Sequence, residues 1–255
     1  MTNKQQKLSF YCPLFTSIKD DKLMFSEKLD KDDQGLFRGL ETILLPQSEV
    51  SYQNLSDGLL QITSPSYPQK VCYSFEPFLN FHASASDVRD LKKGAELIER
   101  LIHLVGLPYV WGGSAVLTSE QKNQIDHTFK NYPSSFRQNL HYLFSGLDCS
   151  GLLHYVTGGI TPRNTSELID FGTSVLIEES TIDEILSKVQ PLDLLVWKGH
   201  IVIFLSKNEI IESRLGFGVV KTNAKDRLIE VTQNKRPVNL YQENSFVIRR
   251  MTCFL

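Results

Sequence analysis

Asp148-Cys149-Ser150-Gly151-Leu152-Leu153-His154-Tyr155-Val156 is the stretch on which the reading of this chain turns. Leu152 and Val156 stand four apart, the spacing of one helix face, so the run after the cysteine predicts a helix. Asp148 is of the residue type that caps exposed backbone N–H groups at a helix start. A thiol in that first turn loses its proton more readily than in free solution, because the helix end and a neighbouring imidazolium both favour the thiolate, which is the nucleophile. Taken alone, the tetrapeptide is equally compatible with the commoner state of a free cysteine, a small buried apolar side chain.

Further along, Leu192 to Trp197 and His200 to Leu205 are apolar at successive positions, as strands buried on both faces are, with Lys198-Gly199 as a turn between them. His200 opens the second strand, where an imidazole can point from a sheet edge toward a helix end. Ser206-Lys207-Asn208 then turns the chain into Glu209-Ile210-Ile211-Glu212-Ser213. A two-residue loop would put the even positions 200 and 212 on opposite faces, so for Glu212 to reach His200 a three-residue loop or a bulge is required. A carboxylate there would fix the tautomer, orient the ring and favour its charged form. The alternatives are a histidine held by a backbone carbonyl or by Ser213, and an ordinary surface glutamate.

With these residues in order, the chain resembles the NlpC-type cysteine peptidases of bacterial cell-wall metabolism, which have a circularly permuted papain-like core. Five ordered segments carry the resemblance: Leu107-Pro108-Tyr109-Val110-Trp111-Gly112-Gly113, Asp148-Cys149-Ser150-Gly151, Pro162-Arg163-Asn164-Thr165-Ser166, Val189-Gln190-Pro191-Leu192-Asp193-Leu194, and Gly199-His200-Ile201-Val202-Ile203-Phe204. It implies Cys149 as nucleophile, His200 as general base and acid, Glu212 in the third polar position and Tyr109 near the nucleophile. It further implies hydrolysis of peptidoglycan stem peptides between γ-linked D-glutamate and a diamino acid such as diaminopimelate. In members that require a free N-terminal L-alanine, Asp148 and Ser150 would hold its ammonium. Two departures stand out. The third position in this family is more often histidine, asparagine or glutamine, and a long insertion, 116–146, separates the tyrosine segment from the nucleophile.

The insertion predicts two short helices around Pro133, forming a lid or a structural flap, with Phe129, Tyr132, Phe136, Tyr142 and Phe144 packing it down. Before it, Val88, Leu91, Leu97, Ile98, Leu101, Ile102 and Val105 recur at helical spacing after a cap at Ser86, and Gly106 ends the run. Earlier still, 42–45, 50–52, 59–62 and 71–75 read as short strands; Asp57-Gly58 signals a hairpin, and Pro65 with Pro68 a loop. Some NlpC-type enzymes carry a bacterial SH3-like barrel in this place. The expected fold class is therefore α+β: a small all-β, SH3-like barrel domain over 1–85, then a permuted papain-like catalytic domain over 86–255 whose nucleophile helix packs on an antiparallel sheet.

The 255 residues are 41% apolar with a formal charge of −2, which suits a soluble enzyme of two domains and gives no basic face for nucleic acid. No apolar run is long enough to span a membrane. The apolar stretch Leu8 to Phe15 is too short for a secretory core, so a cytoplasmic location is expected. Cys12, Cys72 and Cys253 are scattered without disulfide or zinc spacing, and neither metal nor cofactor is expected. The expected partners are muropeptides, in recycling or degradation of the wall. The other classes open to this sequence are an exported wall hydrolase, an acyltransferase or amidase on the same thiol core, and a muropeptide-binding protein without turnover.

Overall fold

The structure is a computed structural model that describes residues 4–17, 24, 26–56, 58–81 and 94–252. The expected boundary at Ser84-Ala85-Ser86 and the start of the helix that Ser86 would cap lie outside the described residues, as does Cys253. The chain divides into two compact units, residues 1–88 with 108–151, and residues 89–107 with 152–255. This division differs from a boundary at 85/86, because segment 108–151, insertion included, packs with the N-terminal residues.

Among the described residues the first unit holds one six-stranded sheet in the order β1-β4-β5-β6-β2-β3. Its strands are β1 (Lys4–Lys7), β2 (Cys12–Phe15), β3 (Leu40–Leu44), β4 (Glu49–Ser56), β5 (Leu59–Ser64) and β6 (Tyr67–Phe75), all paired antiparallel. The hairpin expected at 57–58 is present: Ser56 faces Leu59 across a two-residue connection, and Gly58 takes a φ of 77° there. The loop expected between the two prolines is only a turn at Pro65-Ser66, and Pro68 lies inside β6.

The insertion forms helices Ser119–Thr128 and Ser134–Leu143 on either side of Pro133. The first starts at a reciprocal cap, in which Gln121 N–H donates to Thr118 Oγ1 (3.2 Å) and Thr118 N–H to Gln121 Oε1 (2.9 Å). Phe129, Phe136 and Phe144 are fully buried. Ring centroids of Phe129 and Phe78 are 5.1 Å apart, those of Phe136 and Phe75 5.9 Å, and those of Phe144 and Tyr11 6.2 Å. Asn139 donates to the carbonyls of Met24 (3.0 Å) and Ser26 (3.2 Å). Each buried ring contributes roughly 2–3 kcal/mol of transfer free energy, so this insertion is held as core of the first unit.

The second unit is built on a seven-stranded sheet in the order β11-β10-β9-β8-β13-β12, with β7 pairing β13. Its strands are β7 (Thr173–Val175), β8 (Leu194–Trp197), β9 (His200–Phe204), β10 (Glu209–Arg214), β11 (Gly218–Asn223), β12 (Arg236–Pro237) and β13 (Ser245–Arg250). All pairings are antiparallel except β12 with β13. Leu195, Val202, Phe204 and Ile210 on one face pack against Ile185 of helix Ile182–Lys188 and Ala224, Leu228 and Val231 of helix Ala224–Thr232. Ile201, Ile203 and Ile211 on the other face are also buried, which is why both strands read as continuous apolar runs. Among the described residues no helix is long and apolar enough to cross a membrane.

Candidate active site

Cys149 is the first residue of helix Cys149–Val156 and is 6% exposed. Asp148 caps that helix as its type predicts: one carboxylate oxygen accepts from Gly151 N–H at 2.6 Å and from Ser150 Oγ at 3.3 Å. The position of the helix start is fixed by the segment that carries Tyr109. Asp148 N–H donates to Gly113 O (2.9 Å), Leu147 N–H to Pro108 O (3.2 Å), and Ser114 bridges Leu147. The approach is close enough to demand glycine. A β-carbon at Gly151 would lie 1.9 Å from Gly113 O, and one at Gly146 would lie 2.0 Å from Pro108 O. Ser114 ties the same segment to β3, donating to Ile43 O (2.9 Å) and accepting from Ile43 N–H (3.0 Å). Tyr109 is partly buried within this framework.

His200 and Glu212 belong to the second unit. Trp197 faces His200 across the β8–β9 hairpin, and Gly199, with a φ of 95°, makes the intervening turn. Thr165 Oγ1 accepts from Gly199 N–H at 3.0 Å, so the Pro162–Ser166 segment fixes the turn that presents the histidine. β9 lies inside the sheet between β8 and β10, so His200 sits at a strand end and not on an edge strand. Phe204 pairs with Ile210 and Ile203 with Ile211, while Leu205 and Ser206 N–H both reach Glu209 O, leaving Ser206-Lys207-Asn208 as the loop. The three-residue loop required for positions 200 and 212 to share a face is thus present. Carrying the register on sets Glu212 opposite Val202, one diagonal step from His200.

That step brings His200 Nε2 to 2.5 Å from Glu212 Oε2. The carboxylate is 1% exposed and the imidazole 15%. Arg227, on helix Ala224–Thr232, completes the group. Its Nη2 donates to Oε2 at 2.8 Å, and its Nε stands 2.7 Å from Oε1 as an ion pair without hydrogen-bond alignment, so those two buried atoms have no hydrogen-bond partner. Burial pushes the Glu212 carboxyl up, but the hydrogen bonds from His200 and Arg227 together outweigh it and hold the group below its ordinary value. The Trp197 ring lies 5.1 Å from the His200 ring and also faces Arg227 (5.9 Å) and Lys235 (5.6 Å).

The other described cysteines have different surroundings. Burial pushes the thiols of Cys12 and Cys72 up to about 12, so neither is a nucleophile near neutral pH. Among the described residues no three His, Cys, Asp or Glu side chains gather as metal ligands.

Of the residues singled out from sequence, Asp148, Cys149, Ser150 and Tyr109 occupy one framework in the first unit, and His200 and Glu212 are hydrogen-bonded in the second. Arg227 and the hydrogen bond that Thr165 accepts from Gly199 were not legible. Arg227 lies fifteen positions beyond Glu212, on a helix whose only local signature is an Asn223 cap and the Ala224, Leu228, Val231 stripe. Nothing in that stretch shows which sheet residue the arginine meets.

An antiparallel sheet carrying a histidine–carboxylate pair, and a capped helix that starts at a cysteine, describe a protein with the NlpC/P60 fold. An NlpC/P60 family protein from Bacillus cereus has a TM-score of 0.56 to this chain at 14% identity, over 86% of this chain and 94% of that one. NlpC1 from Trichomonas vaginalis gives 0.38 at 13% identity, over 98% and 69%. RipD from Mycobacterium tuberculosis, described as a non-catalytic NlpC/p60 domain protein adapted to peptidoglycan binding, gives 0.35 at 15%, over 66% and 99%. No protein-family profile and no curated protein matches the chain.

Proposed function

We propose that this protein is a cysteine peptidase acting on peptidoglycan stem peptides, with Cys149 as nucleophile, His200 as general base and acid, and Glu212 as the carboxylate that orients the imidazole. The observation that carries this reading is the 2.5 Å contact between His200 and Glu212, in a chain of this fold whose Asp148-capped helix begins at a cysteine. Engagement of Nε2 by Glu212 makes Nδ1 the atom that exchanges protons. The Cys149 thiolate attacks a peptide carbonyl, and the oxyanion accepts from the Cys149 backbone N–H. The C–N bond breaks as His200 protonates the leaving amine. Water, deprotonated by His200, then attacks the thioester, releasing the acid and restoring the thiolate and the protonated His200.

The bond proposed is γ-D-glutamyl to diaminopimelate, in fragments with a free N-terminal L-alanine whose ammonium is held by Asp148 and Ser150, with Tyr109 lining the substrate site. A buried ammonium needs an opposed carboxylate, and Asp148 is 7% exposed. The catalytic part is taken as a permuted papain-like core and the N-terminal strands as an SH3-like barrel. The setting proposed is recycling or degradation of wall fragments in the cytoplasm.

The experiment is mass spectrometry of L-Ala-γ-D-Glu-diaminopimelate incubated with the wild-type protein and with Cys149→Ala, beside the N-acetylated peptide. Cleavage to L-Ala-D-Glu that requires Cys149 and is blocked by acetylation supports the full proposal. Cleavage of both peptides removes the amine-reading role of Asp148 and Ser150. Cleavage of neither assigns the chain to another acyl substrate or to binding. Alkylation at pH 8 gives a parallel readout: a thiol near 12 is thiolate at only about one part in 10⁴, so Cys149 is expected to react well before Cys12 and Cys72.

A further inference from the structure

The carboxylate beside His200 is itself held by a cation that the peptidase mechanism does not use. Arg227 lies 2.7 and 2.8 Å from the two oxygens of Glu212, and its side chain is 10% exposed. Its remaining nitrogen, Nη1, is 2.8 Å from Glu230, which also pairs with Arg214 of β10. The chain of charges therefore runs from the surface, through Arg214 and Glu230, to Arg227, Glu212 and the imidazole. Among the described residues, Lys235 stands over Trp197, the ring beside His200, while the β11 residue opposite Glu212 is the apolar Val220.

We propose that Arg227 is a positioning residue that acts through Glu212: its guanidinium keeps Glu212 ionised and thereby sets the pH at which the His200–Glu212 pair gives up its shared proton. A carboxylate with 1% exposure and no countercharge would take the proton from the imidazole, or would hold the imidazolium to a pH where it no longer protonates and deprotonates in turn. A fixed guanidinium at ion-pair distance lowers the proton affinity of the whole pair. It also places the proton that remains on the ring and not on the carboxyl. Acid–base catalysis is most effective when the group titrates near the working pH, which is what this adjustment serves. The titration belongs to the pair and not to either residue alone. The catalytic consequence rests on the peptidase reading; the titration does not.

The test is heteronuclear NMR of the 255-residue chain labelled at its six histidines, with the His200 signal assigned by its loss in His200→Gln. Arg227→Gln keeps a hydrogen-bond donor and removes the charge, and it is expected to raise the His200 midpoint by about one pH unit. Arg227→Lys keeps the charge and is expected to leave the midpoint within a few tenths of wild type. A merely structural arginine would lower the melting temperature of both variants and move neither midpoint, and that result overturns the proposal. Equal midpoints in the Gln and Lys variants overturn it as well. Should Arg227→Gln not fold, Glu230→Gln carries the test, since Glu230 is 45% exposed and competes for the guanidinium. Its removal is expected to lower the midpoint, and an unmoved midpoint refutes the claim. If stem peptides are hydrolysed, the alkaline limb of kcat/KM moves with the NMR midpoint in Arg227→Gln. If the midpoint moves and no peptide is cut, the role of Arg227 stands and the peptidase reading falls.

Discussion

Replacing Gly151 with alanine tests how the cysteine is positioned. The added methyl would stand 1.9 Å from Gly113 O and 3.0 Å from the Asp148 carboxylate, against the 3.4 Å or more of an ordinary contact. The Gly113 atom is backbone, already accepting from Asp148 N–H at 2.9 Å, so no flexible side-chain end is available to give way there. Relief requires helix Cys149–Val156 to withdraw by more than an ångström from the Tyr109 segment. Overpacking of this kind costs about 1–3 kcal/mol, and a backbone-to-backbone clash belongs at the upper end. At about 2–4 °C per kcal/mol for a chain of this size, the melting temperature should fall by roughly 6–12 °C. Ser150→Ala, one residue away, removes a 3.3 Å hydrogen bond to Asp148 and is expected to cost about 1 kcal/mol or less. The assay is thermal melting of both variants by circular dichroism, with the Cys149 alkylation rate measured on each. A Gly151→Ala protein that melts within about 2 °C of wild type and alkylates at the same rate would refute the close-approach account.

Three further outcomes follow from the second unit. Glu212→Gln removes the buried anion that Arg227 meets through two nitrogens, leaving Glu230 on the third, and is expected to destabilise by about 2 kcal/mol at pH 7. Because the folded carboxyl titrates below its ordinary 4.5, that stabilisation is complete above the unfolded value and is lost as pH falls through the folded one. Urea midpoints of the two proteins should therefore converge as the pH falls through the folded value, and a gap that stays constant across the whole acid range would contradict this. Arg250 grips Asp193, which is 1% exposed, through two nitrogens at 2.9 and 2.7 Å, so Arg250→Lys, which cannot fork, should cost about 1–3 kcal/mol in urea denaturation. Leu192 takes a φ of 68° while 4% exposed, so Leu192→Gly relieves about 1 kcal/mol of strain and loses more from the core, and a net gain in stability would show that its side chain packs poorly.

Local sequence was enough wherever local chemistry sets the outcome. The Asp148 cap, the helix after Cys149, the glycine turn before His200 and the helices around Pro133 each follow from residues within one or two turns of the feature they form. Parity alone required a three-residue loop between β9 and β10, because side chains alternate along a strand and a single residue of slip would carry Glu212 to the opposite face. The five ordered segments also located the framework around Cys149. What they did not give was the allegiance of the insertion: Phe129, Phe136 and Phe144 were legible as packing residues, but apolar side chains do not name their partners, and here those are Tyr11, Phe75 and Phe78, more than fifty positions away. Arg227 was hidden for the same reason, as one charge among 27 lysines and arginines until helix Ala224–Thr232 lies across the sheet. By itself, then, the sequence determined the local elements, the chemistry each can carry and the parity of the hairpin, since these depend on neighbours along the chain. The tertiary structure alone decided which strands the insertion packs on and which cation stands behind the carboxylate, since non-local burial and ion pairing depend on distances that no stretch of sequence encodes.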